Sequence, residues 1–141
     1  MASVKYGDLQ WAFTYVSTGL QGDHSAFVER DTGQIFWTSE AGDMNDNPPE
    51  DVENLQRYLA VPHKNELELG RQLVLRFVEH EMPDCYEEVI NIFRGRGAYR
   101  RYKMLLESRN AVDRWQSYEQ TAVRQALSDW CEQHRIRLTE E

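Results

Sequence analysis

Cysteine and uninterrupted apolar sequence are both scarce in this chain of 141 residues. Two cysteines are present, Cys85 and Cys131, and neither stands in a CxxC or Cys/His spacing. That excludes a disulfide framework and a zinc site as sources of stability. Each cysteine falls inside a helical pattern beside apolar neighbours, which predicts two buried free thiols in a reducing cytosol. No apolar run reaches the roughly 18 residues of a membrane span, and no basic start leads into an apolar stretch. The expectation is a soluble cytoplasmic protein with no membrane association.

Catalytic spacings are missing too. His24, His63, His80 and His134 never approach HExxH or HxH, and His80 between Glu79 and Glu81 reads as a solvated helix end. The acids after residue 40 lack the ligand order and central glycine of a calcium loop. Gly95 and Gly97 give GxG alone, without dinucleotide spacing or a preceding strand. No catalytic residue, metal or cofactor is therefore expected.

Positive charge is rare in the first 60 residues, where Lys5, Arg30 and Arg57 face ten acids; the remaining residues carry 13 cations against 14 acids. The overall net charge of -8 argues against indiscriminate nucleic-acid binding, which needs a positive face. At this length a single domain spanning 1–141 is expected, able to bury roughly 68% of the surface its unfolded chain exposes.

Periodicity supplies the architecture. Leu9, Ala12, Phe13 and Val16 follow i, i+3, i+4, i+7, with Asp8 placed as the N-cap of a short helix. Residues 25–30 and 34–39 are β-rich runs around Asp31-Thr-Gly33, a hairpin with Gly33 left-handed. Residues 40–53 read as an acidic turn-rich loop containing Asp43, Asp46, Glu50 and Asp51. Tyr58 to Pro62 suits a third strand. Four helices follow: residues 65–80 capped by Asn65, a second after Asp84, a third through Tyr99, Tyr102, Leu105 and Leu106, and a last from about Val112 to His134. The fold class is α+β, an N-terminal helix and small antiparallel sheet followed by a helical bundle. Trp115 and Trp130 fall on the inner side of the last helix, whereas Trp37 is a candidate exposed interface residue.

The most distinctive stretch runs from Arg94 to Lys103, with Arg94, Arg96, Arg100, Arg101 and Lys103 and no acid. Arg94 and Arg96 close one helix, where the macrodipole favours cations by about 0.3–1 kcal/mol. Arg100 and Arg101 open the next, where it opposes them, so something else must favour them. Three sources are open: an internal acid such as Glu107 or one in the 40–53 loop, an acidic patch on a protein partner, or a phosphate or nucleic acid. Tyr99 and Tyr102 either stack on bases in the last case or pack in the core beside Leu105 and Leu106. The favoured function is non-enzymatic protein binding of a regulatory kind, with Arg96, Arg100 and Arg101 as anchors and the acidic loop steering a basic partner. Nucleic-acid or phosphate binding through the same turn is the alternative.

Several segments, in order, resemble the bacterial Uncharacterised Protein Family 0158. They are Asp8-Leu9 with Ala12-Phe13, Asp31-Thr-Gly33, Arg57 to Pro62, Gly95 to Lys103, Arg114-Trp115 and Trp130-Cys131. The resemblance covers roughly residues 4 to 135, and its most specific element is the family's GxGAFRRFKD pattern. Here tyrosine stands at 99 and 102 in place of phenylalanine, and Met104 where the family tends to an acid. The resemblance implies a bacterial, single-domain, cytosolic protein and implies no catalytic residues.

Overall fold

The structure, a computed structural model, describes residues 2–19, 23–39 and 57–140. The architecture is α+β, as the periodicity predicts. It comprises two compact units, residues 1–67 with 125–141 and residues 68–124.

In the first unit, β1 (Ser3–Lys5) runs directly into α1 (Tyr6–Val16). α1 buries Leu9, Ala12, Phe13 and Val16, the expected stripe. Its start differs from the sequence reading: Lys5, still extended, holds the N-cap position, and Asp8 lies in the first turn, where the helix dipole favours a carboxylate. β2 (His24–Glu29) and β3 (Ile35–Ser39) form the expected hairpin, in register from His24↔Ser39 to Val28↔Ile35. At its turn Gly33 has φ +79°. The Gly33 N–H donates to the Glu29 carbonyl at 2.8 Å, and the Glu29 N–H to the Gln34 carbonyl at 2.9 Å. This is a bulge with glycine in the left-handed position. A Cβ on Gly33 would also collide with the Ser3 carbonyl oxygen. β4 (Tyr58–Ala60) pairs antiparallel with the other edge of β2, giving the order β3-β2-β4.

Sequence reasoning misses a second sheet, in which β5 (Arg137–Thr139) pairs parallel with β1, Ser3 opposite Arg137. Three-residue strands so far apart carry no legible period of two. Val4, Leu9, Phe13, Val28, Leu127, Cys131 and Ile136 are buried in this unit.

In the second unit, α2 (Arg71–Glu81) begins later than the pattern suggests. Asn65 is not its cap: residues 64–68 form turns, Glu68 takes φ +56°, and Gly70 stands at the N-cap. Leu73, Val74, Phe77 and Val78 form the buried face. A 3-10 turn at Pro83–Cys85 leads into α3 (Tyr86–Ile92), followed by α4 (Ala98–Ser108) and α5 (Val112–Gln133), whose residues from Gln125 onward belong to the first unit. The four expected helices are all present. An aromatic cluster joins them: Trp115 meets Phe77 and Tyr102 edge-on, both at 5.3 Å between centroids, and Tyr102 meets Phe93 at 5.9 Å. Such pairs add about 0.5–1.5 kcal/mol each to the area they bury.

Candidate functional site

The Arg94–Lys103 stretch forms the turn between α3 and α4, and its parts divide sharply into those consumed by the turn and those left on the surface. α3 unwinds through Phe93, whose N–H still bonds the Val89 carbonyl at 3.1 Å, and Gly95, whose N–H reaches the Ile92 carbonyl at 3.3 Å. Gly97 then reverses the chain at φ +66°, a left-handed position that costs other residues roughly 1–2 kcal/mol. It is also the N-cap of α4, with no side chain among the described residues capping that end.

Arg101 reaches back over this turn. Its Nη2 donates to the Ile92 carbonyl at 2.9 Å and to the Arg96 carbonyl at 2.8 Å. The arginine that the dipole of α4 opposes therefore sits at the C-terminal end of α3, where unpaired carbonyls and the dipole both favour a cation. Gly95 makes this possible, because a Cβ there would lie 2.7 Å from the same nitrogen. Arg101 thus works as a clasp of the turn. Its acceptors among the described residues are main-chain carbonyls, and the acids of the 40–53 loop lie outside those residues.

The other cations point outward. Arg94 holds the Asn91 side-chain oxygen at 3.3 Å. Arg96, Arg100 and Lys103 are exposed, and among the described residues none of them has an ion pair. Tyr102 and Leu106 form the inner face of α4. The outer face carries Arg100, Lys103, Met104 and Glu107 at i, i+3, i+4, i+7, with Met104 60% exposed. The two tyrosines separate: Tyr102 is 2% exposed in the aromatic cluster, while Tyr99 is 45% exposed with one edge against Phe93. Tyr102 cannot reach a base, and its hydroxyl is buried with no hydrogen-bond partner among the described residues. Burial raises the affinity of both phenols for their protons, Tyr102 the more strongly, and Glu119 adds to it. Asp43, Asp46, Glu50 and Asp51 lie outside the described residues.

One cluster escapes sequence reasoning. His24, His63 and Glu66 line a cavity of about 260 Å³. His63 is buried, and its Nδ1 accepts the Asn65 N–H at 3.0 Å while Nε2 faces the Gly19 carbonyl at 3.4 Å. Its own N–H donates to the Glu66 carboxylate at 3.2 Å. With both ring nitrogens engaged, His63 secures the 61–66 turn and is not poised as a general base. The i, i+3 spacing of His63 and Glu66 is the signal that could have found this clasp. No group of three or more metal-ligating side chains assembles among the described residues.

Both thiols are free and buried, and burial pushes them up, Cys131 to about 11. That leaves little thiolate near neutral pH. No helix among the described residues is long and apolar enough to cross a membrane.

No curated protein and no solved structure matches the chain. The model of the Uncharacterised protein family (UPF0158) matches residues 15–141, a span that contains the hairpin, the Arg101 clasp and the outward arginines, and the chain belongs to that family.

Proposed function

We propose that this protein acts in the bacterial cytoplasm by binding another protein, as a non-catalytic regulator, through the outer face of α4 and the turn before it. The observation that carries this reading is that Arg96, Arg100 and Lys103 are exposed without an ion pair among the described residues, beside the exposed Met104 and half-exposed Tyr99. Three cations around an aromatic and a thioether fit an acidic partner segment with an apolar residue in it. Arginine and tyrosine are enriched where interface energy concentrates, and methionine adapts to the partner's shape. Arg101 leaves the set of anchors, because its guanidinium serves the turn.

Affinity capture from bacterial lysate after nuclease treatment tests the reading. A protein partner retained by the wild type and by Arg101→Lys, and lost with Arg96→Ala/Arg100→Ala/Lys103→Ala, supports it. Equal capture by the triple variant overturns it. Recovery of nucleic acid alone, with affinity falling steeply in salt, moves the function to a phosphate-bearing ligand held by the same cations and the uncapped start of α4.

A further inference from the structure

We propose a second binding site, on the outer edge of β3, for an extended segment of a partner protein. Sheet register fixes which backbone groups are available there. On β2, the Ala26 carbonyl accepts from Val61 and the Arg30 N–H donates to the Arg57 carbonyl, so the even-numbered residues face β4. The Glu29 N–H bonds Gln34, so the odd-numbered residues of β2 face β3. Phe36, opposite Phe27, therefore spends its backbone groups on β2, and those of Ile35 and Trp37 project from the opposite edge. Among the described residues no hydrogen bond takes them up. An edge strand with open donors and acceptors is a template for another strand.

Ile35 and Trp37 also line a cavity of about 400 Å³, shared with Val4 and Lys5 of β1 and Asp8 and Trp11 of α1. That volume falls in the range of ligand pockets, roughly 300–1,000 Å³. Trp11 is 69% exposed, an indole that the core does not use. Trp37, on the same cavity, is braced edge-on against Tyr15 at 5.2 Å. Lys5 and Asp8 stand on the same cavity with opposite charges, and neither holds an ion pair among the described residues.

Two pairing groups one strand repeat apart, roughly 7 Å, call for a main chain and not a compact molecule. The cavity beside them takes one bulky apolar side chain between the indoles. Lys5 and Asp8 then select an acid and a base flanking that residue. A second copy of this chain is the poorer occupant, since residues 1–60 carry ten acids against three cations and would repel their like.

The test is a selection of random phage-displayed peptides on the wild type, counter-selected on Trp11→Ala/Ile35→Pro. Proline at position 35 deletes an outward N–H and spares the β2 ladder, as edge strands allow. Trp11→Ala removes an exposed side chain and leaves every strand intact. Thermal melts establish that each single variant is folded. The expected result is enrichment of peptides with a bulky apolar residue flanked by an acid and a base, each single variant weakening a synthesised winner about tenfold. The proposal is overturned if nothing is enriched over the counter-selection, or if the winner binds Trp11→Ala as well as the wild type. A wild-type dimer in sedimentation that Ile35→Pro converts to monomer overturns it in favour of self-pairing at this edge.

Discussion

The Arg101 guanidinium occupies the space that a Cβ on Gly95 would need, 2.7 Å from where that atom would sit. The glycine and the arginine therefore form one device, although nothing about a glycine and a cation six positions apart announces a contact. Two hydrogen bonds to the Ile92 and Arg96 carbonyls depend on it.

Stability measurements by urea denaturation should expose the device as a unit. Arg101→Ala is expected to cost about 1 kcal/mol, the net worth of exposed hydrogen bonds to main-chain carbonyls. Gly95→Ala displaces the guanidinium and should cost a similar amount. The double variant should lose little more than Arg101→Ala alone, because both changes remove the same bonds. Additive losses would show that the two residues act independently. Arg100→Ala, on the surface beside them, should stay within about 0.5 kcal/mol of wild type.

Tyr102 offers the opposite sign. Its hydroxyl is buried without a partner among Phe93, Trp115 and their neighbours. Burying an unpaired hydroxyl costs about 1–3 kcal/mol. Tyr102→Phe keeps the ring contacts and removes the unpaired group, so it should raise the melting temperature by about 3 °C. A drop on this substitution would mean that the hydroxyl is satisfied in solution.

The elements read well from sequence wherever a period repeats. The α1 stripe of Leu9, Ala12, Phe13 and Val16 is buried as its spacing demands, and Gly33 takes the left-handed position a short hairpin turn requires. The same stripe leaves Trp11 on the outside, 69% exposed, a consequence of the spacing that sequence reasoning did not draw. Boundaries failed where a polar residue resembled a cap: Asn65 precedes a turn and Asp8 sits inside its helix. The β1–β5 pairing was hidden because short parallel strands from opposite ends of the sequence leave no local signal. Sequence showed that Arg101 stood at an unfavourable helix end. It did not show that the acceptors were carbonyls of the preceding helix.

Acid should weaken the hairpin through Glu29. This buried carboxylate accepts from Thr32 Oγ1 at 2.6 Å, Arg57 Nε at 3.1 Å and Tyr58 Oη at 3.4 Å. The Thr32 hydrogen bond, then Arg57 and Tyr58, hold it below its ordinary value of 4.5 against the opposing effect of burial. With the folded value below the unfolded one, its contribution is present above pH of about 4.5 and is lost as pH falls through the folded value. Denaturation of Glu29→Gln followed across this range should show a flatter acid limb than wild type. Parallel limbs would remove Glu29 from the acid response.

Thiol labelling separates the two compact units, since Cys85 lies in residues 68–124 and Cys131 in the other. A disulfide reagent needs both access and thiolate, and the fold denies both. Cys85 is 3% and Cys131 1% exposed, and burial raises each thiol, Cys131 to about 11. In native buffer near pH 8 both should react far more slowly than in urea, through transient opening of the surrounding structure. Single Cys→Ala variants assign the two rates, and Cys131 is expected to be the slower. Cys131 labelling at the speed of a small free thiol would show that the α5 end of its unit opens without resistance.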